Sequence, residues 1–142
     1  MARKEVKTLA RSLKEMIQEA RAQVRELAPK EVAAALERGE VDLVLDVREP
    51  EEWSRGHIPG SVNIPRGWIE IRADPASPGA HQELSRNRQA RIVVYCLQAP
   101  SARSMLTAQT LLGMGYANVS GIEEDLLNWR EQELRLEPPD AR

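Results

Sequence analysis

The stretch "RIVVYCLQAPSARSMLTAQTLLGMG", residues 91–115, carries the reading of the fold. Ile92 to Tyr95 is an unbroken apolar run rich in Val and Ile, the composition of a strand covered on both faces. From Ser101 the apolar residues return at helical spacing, and the Gly113 and Gly115 pair ends that pattern. A buried strand followed by a helix is the unit of a layered α/β fold. At the junction stands Cys96, the single cysteine of the chain.

A second buried strand, "VDLVLDV" at 41–47, lies upstream. It is preceded by "PKEVAAALERGE", a short helix with Pro29 at its first position and Gly39 as a left-handed cap. "EPEEWSRG" starts another helix with Pro50 and two acids in its first turn. "HIPGSVNIP" then reads as a turn and short strand, "RGWIEIRA" as one or two helical turns, "DPASPGA" as a loop and "HQELSRN" as a short helix. Downstream, "YANVSG" is a short strand and "IEEDLLNWREQEL" a final amphipathic helix. Strands alternating with helices predict a mostly parallel sheet flanked by helices.

At the other end, Val6, Leu9, Leu13, Met16, Ile17, Ala20, Val24 and Leu27 recur by threes and fours. The spacing predicts one amphipathic helix of about 20 residues, closed by Pro29. Its stripe either docks on the domain or forms a homodimer seam; the absence of a clear flanking charge code favours docking, and monomer and homodimer both stay open.

Composition narrows the function. The chain has 142 residues, 42% apolar and 30% charged, with a net charge of −2. It is long enough for one domain with a real core, and its balanced charge argues against a nucleic-acid or membrane surface as partner. No apolar run approaches the roughly 20 residues that span a bilayer. The opening "MARKEVKTLARSLKEM" lacks the apolar segment of a secretory signal, so the expected location is cytoplasmic. One cysteine with two distant histidines, His57 and His81, is a poor metal set, and no metal or cofactor is expected.

Sites in parallel sheets form beyond the carboxyl ends of the strands, where Cys96 sits. Backbone N–H groups of residues 97–102 and the following helix N-terminus would then surround its sulfur, lower the thiol pKa and hold an anion. Arg103, in the first helical turn, is explained if it answers that anion. The competing readings are a buried apolar filler for Cys96 and a solvated surface arginine for Arg103.

Taken together, "LDVREPEEWSRGHIPGSVNIP" (45–65), "IVVYC" (92–96), "ARSMLTAQTLLGMGYANV" (102–119) and "LLNW" (126–129) resemble single-domain rhodaneses, the thiosulfate and persulfide sulfurtransferases. The resemblance runs from about Pro29 to Trp129. It implies a three-layer rhodanese-like fold with a central, mostly parallel five-stranded sheet. The expected organisation is an N-terminal helical extension at 1–28, the rhodanese-like domain at 29–134, and a frayed tail at 135–142.

By that resemblance Cys96 is the nucleophile. Its thiolate takes the outer sulfur of a small-molecule donor and carries it as a persulfide, until an external thiol or cyanide removes it. Leu97, Gln98, Ala99, Ser101, Ala102, Arg103 and Ser104 would bind the donor. Asp46, Arg48 and His57 would support the loop, His57 through structural hydrogen bonds; for Asp46 and Arg48 a purely structural role at the strand end is the equal alternative. Trp53 and Trp129 read as core aromatics, and Arg66 and Arg72 as solvated surface or a wider anion rim.

Two departures stand out. The common loop reads Cys-x-x-Gly-x-Arg-Ser, whereas six residues separate Cys96 from Arg103 here. Related phosphatases and arsenate reductases use five. Ala99 stands near the usual glycine, and Pro100 removes one N–H. Glu124 and Asp125 replace a glycine pair before the last helix and add negative charge at its N-terminus. Sulfurtransfer leads; phosphatase or arsenate-reductase-like chemistry, and a sulfur-carrier or binding module with little turnover, are the alternatives.

Overall fold

The structure, a computed structural model, describes residues 10–138. In chain order the elements are α1 (Leu13–Gln23), β1 (Arg25–Leu27), α2 (Pro29–Glu37), β2 (Leu43–Asp46), α3 (Pro50–Ser54) and β3 (Val62–Asn63). A 3-10 turn (Arg66–Trp68) leads into α4 (Ile69–Ala73) and α5 (Gln82–Ser85). Then come β4 (Arg91–Tyr95), α6 (Ala102–Gly113), β5 (Asn118–Ile122) and α7 (Asp125–Glu131).

The five strands form one sheet in the order β1-β5-β4-β2-β3, and every pairing is parallel. Central β2 and β4 bury both faces, as their apolar runs require. Alternate residues sort into two clusters. Leu43, Leu45, Ile92 and Val94 pack with Ala20, Ile69, Leu84, Met105, Ala108 and Leu111, the layer of α1, α4, α5 and α6. Val44, Val93 and Tyr95 pack with Val32, Leu126 and Trp129, the layer of α2 and α7. Each buried Val, Leu, Ile or Met side chain among these contributes about 1.5–3 kcal/mol before entropy is counted. Gly121 lets α6 approach closely, since a Cβ there would stand 2.6 Å from the Met105 Cε.

The N-terminal segment departs from its sequence reading. The helix begins at Leu13, because Ser12 caps it with a reciprocal bond to Glu15, and it stops at Gln23. Arg25–Leu27 is instead an edge strand, paired with Ser120–Ile122. Leu27 satisfies helical spacing and is taken by the sheet all the same, while Val24 caps the helix end through its N–H on the Ala20 carbonyl. Val6 and Leu9 lie outside the described residues. Ile17, Ala20 and Val24 are buried against the chain's own core, with α1 packed on α6, while Leu13 stays exposed.

The tail expected to fray holds on through its described part. Glu137 pairs with His57 by two backbone hydrogen bonds of 2.6 and 2.8 Å, and Leu134 and Leu136 pack against the α2–α7 cluster. No helix among the described residues is long and apolar enough to cross a membrane.

Candidate active site

Cys96 follows the last residue of β4 and opens a loop that returns to α6 at Ser101. The left-handed position in this loop is Ser101 (φ 67°), not Ala99. Ser101 N–H donates to the Gln98 carbonyl at 3.0 Å, and the Ser101 carbonyl accepts from Met105 N–H at 2.8 Å. Across the loop, Leu126 and Leu127 N–H groups donate to the carbonyls of Cys96 and Leu97 at 3.2 and 2.9 Å. The first turn of α7 thereby clamps the strand end.

At the centre of this clamp is Asp125. Glu124 and Asp125 both take positive φ (55° and 57°), which turns the Asp125 carboxylate inward, fully buried. Its Oδ1 accepts the Cys96 backbone N–H and the Ser104 hydroxyl, each at 2.9 Å, and its Oδ2 accepts the Ser101 hydroxyl. The Cys96 Sγ lies 3.4 Å from Ser104 Oγ. Among the described residues no three His, Cys, Asp or Glu side chains converge as metal ligands.

The thiol corrects one expectation. Cys96 is only 3% exposed, and its pKa is raised rather than lowered. Burial is the larger cause and the Asp125 carboxylate the second; Ser104, through its hydroxyl and N–H, and then Arg103 pull the other way. The loop does surround the sulfur, but the charge nearest to its donors is negative.

Arg103 is not free to answer an external anion in this state. Its guanidinium grips Glu52 of α3 at 2.7 and 3.2 Å, an ion pair that raises the arginine's pKa and lowers the carboxyl's. The other predicted contacts divide. Ser101 and Ser104 join the buried network, Leu97 packs on the α2–α7 cluster, and Ala102 is half-buried. Gln98 and Ala99 face solvent, lining a shallow hollow of about 150 Å³ with Glu124, Leu127 and Asn128.

Asp46 and Arg48 form a buried pair at the end of β2. The guanidinium meets the carboxylate through Nη2 at 2.8 Å and Nε at 3.1 Å, and Nη2 also reaches the Gly56 carbonyl at 2.8 Å. His57 stacks on Trp53 with ring centroids 3.8 Å apart, and its Nδ1 lies 2.8 Å from the Trp53 carbonyl. These contacts make it part of the α3 turn. Trp129 is buried, whereas Trp53 is half-buried and bonds Ser61. Arg66 pairs with Glu70 and Thr110, and Arg72 stacks on Trp68, so neither adds to the Cys96 loop.

Two participants, Glu52 and Arg21, escaped the sequence reading, and a third, Asp125, was read only as negative charge before the last helix. Glu52 and Arg103 are far apart in the chain and meet only in the fold. Arg21 of α1 donates to the Pro100 carbonyl at 3.0 Å, tying the N-terminal helix to the loop. Asp125 carried a signal, an acid in place of a glycine, yet its inward turn depends on backbone geometry that residue types do not display.

The model of the rhodanese-like domain family matches residues 28–132. The chain belongs to that family. Within it, the chain is 26% identical over 118 residues to a sulfurtransferase of Allochromatium vinosum, a match covering 83% of this chain and 99% of that one. A Bacillus subtilis protein provisionally named a sulfur carrier is 34% identical over 86 residues; this rhodanese-like chain spans 40% of its length. Among solved structures, a Rhodopseudomonas palustris protein of unknown function, described as a possible tyrosine phosphatase, superposes with a TM-score of 0.81. It is 32% identical, with 89% of this chain and 95% of that chain covered.

Proposed function

We propose that the protein is a sulfurtransferase that moves sulfane sulfur through a persulfide on Cys96. The observation that carries this reading is the placement of the chain's single thiol at the β4–α6 junction of a rhodanese-like domain, with Ser104 hydroxyl and N–H at its sulfur. In the first half-reaction the Cys96 thiolate attacks the outer sulfur of a donor, thiosulfate or a persulfide, and the donor's S–S bond breaks. Thiosulfate leaves as sulfite; a persulfide RSSH leaves RS⁻. Cys96 then holds the sulfur until cyanide or an external thiol attacks it, restoring the thiolate and releasing thiocyanate or a new persulfide. With one cysteine in the chain, the acceptor comes from outside. The cytoplasm, where such thiols are abundant, is the proposed setting.

Phosphatase-like chemistry is the second reading, favoured by the likeness to the Rhodopseudomonas palustris protein. Against it stand the Asp125 carboxylate inside the loop, which repels a phosphoryl dianion, and Pro100, which offers no N–H. A turnover assay separates the two. Thiocyanate formation from cyanide with thiosulfate or glutathione persulfide, abolished in Cys96→Ala, supports sulfurtransfer. Cys96-dependent hydrolysis of an aryl phosphate without thiocyanate formation replaces it with the second reading.

A further inference from the structure

We infer that Asp125 is a specificity-determining residue: its carboxylate occupies the donor cradle of the Cys96 loop and biases the nucleophile toward uncharged reaction partners and against oxyanions. The inference rests on the sulfurtransfer reading and deepens it. Three donors of the Cys96 loop could receive an incoming anion, the Cys96 backbone N–H and the hydroxyls of Ser101 and Ser104, and all three point at Asp125. The Ser104 N–H, at the sulfur itself, is not among those that Asp125 takes. The carboxylate is fully buried and held from three sides, so an arriving oxyanion would have to displace it or accept its repulsion at close range and reduced dielectric.

A second carboxylate sharpens the point. Glu52 occupies Arg103, the cation that an oxyanion would seek, but its side chain is 29% exposed and Arg103's is 36% exposed. An anion can compete Glu52 away, because solvent still reaches this half-buried pair and screens it. It cannot swing Asp125 aside in the same way, because α7 fixes that carboxylate through the Glu124–Asp125 turn. The donor class this site takes best is therefore a persulfide reacting in its protonated, uncharged form. Cys–S⁻ attacks the outer sulfur of RSSH, the S–S bond breaks, RS⁻ leaves, and the proton remains on the new Cys–S–SH. Dianionic thiosulfate is the poorer donor.

The test compares alkylation of Cys96 by iodoacetate and iodoacetamide in the full chain. Both reagents consume the same thiolate and expel iodide, so the ratio of their rates cancels the thiolate fraction and reports only the charge seen by the reagent. In the parent this ratio is expected at least about tenfold below that of 2-mercaptoethanol, and Asp125→Asn is expected to raise it about tenfold. Asparagine keeps an acceptor for the Cys96 N–H, and the serine hydroxyls can turn to its amide. Thiosulfate turnover should follow through a lower KM. Glu52→Gln is expected to move the ratio less. A ratio that Asp125→Asn leaves in place, with both reagents still reacting, overturns the assignment alone. Failure of both reagents on parent and variant overturns it together with the sulfurtransfer reading.

Discussion

Two buried carboxylates lie near the ends of neighbouring strands, and the molecule treats them in opposite ways. Asp46, at the end of β2, meets the Arg48 guanidinium on both oxygens, so its charge is cancelled where it stands. Asp125, beside the end of β4, accepts an N–H and two hydroxyls, and none of these partners is a cation. Hydrogen bonds satisfy its lone pairs while leaving its charge in the loop. The first arrangement is a closed brace that fixes the turn through Gly56; the second keeps a field at the nucleophile. Burial of an acid thus says little about its role until the sign of its partners is known.

The comparison breaks most visibly at Asp46. Arg48→Ala strands a buried carboxylate and is expected to lower unfolding free energy by about 3–5 kcal/mol, read by urea denaturation. A loss under about 1 kcal/mol would mean that the brace is not holding the turn.

A smaller effect follows at the sulfur. Because burial, and then Asp125, raise the Cys96 pKa, iodoacetamide alkylation should keep accelerating with pH beyond the ordinary thiol value of about 8.5. Asp125→Asn should move the profile toward lower pH by about one unit. The linkage has a definite sign. A thiol whose folded pKa is raised contributes stability that is complete below the unfolded value and is lost as pH rises through the folded one. Above about pH 8.5 the parent should therefore lose stability that Cys96→Ala keeps. Parallel pH–stability curves for the two proteins would remove Cys96 from that loss.

The smallest effect belongs to the half-buried Glu52–Arg103 pair. Glu52→Gln should cost less than about 1 kcal/mol near neutral pH. The Glu52 carboxyl is held below its ordinary range by Arg103, so its contribution is present above the unfolded pKa and disappears as pH falls through the folded one. Denaturation midpoints of parent and variant should then converge in acid. A large loss at neutral pH would place Glu52 with Asp46 as a brace.

The same contrast separates what the sequence displays from what it hides. Val44 and Val94 announce themselves, since an apolar run between Gly39 and Pro50, or one ending at a lone cysteine, has few places to go but a covered strand. Pro29 and Gly39 bracket α2 in the sequence and do so in the fold, where Gly39 takes φ +69°. Arg25–Leu27 gave no such sign. Three residues are too few for a period of two, and their strand character comes from pairing with residues almost a hundred positions away. The site behaves likewise. Cys96, Ser101 and Ser104 were readable as neighbours because they share one local loop. Glu52 at Arg103 and Asp125 at Cys96 are products of chain reversals and of two residues forced to positive φ. Residue types near Cys96 suggested a cationic cradle; long-range packing supplied acids.

The most direct measurement is the intact mass of the parent chain and of Cys96→Ala after incubation with glutathione persulfide and removal of the donor. The parent should gain the mass of one sulfur atom, and that gain should vanish on adding cyanide as thiocyanate appears. A parent that gains nothing, or a Cys96→Ala chain that gains the same mass, would contradict sulfur transfer through this thiol.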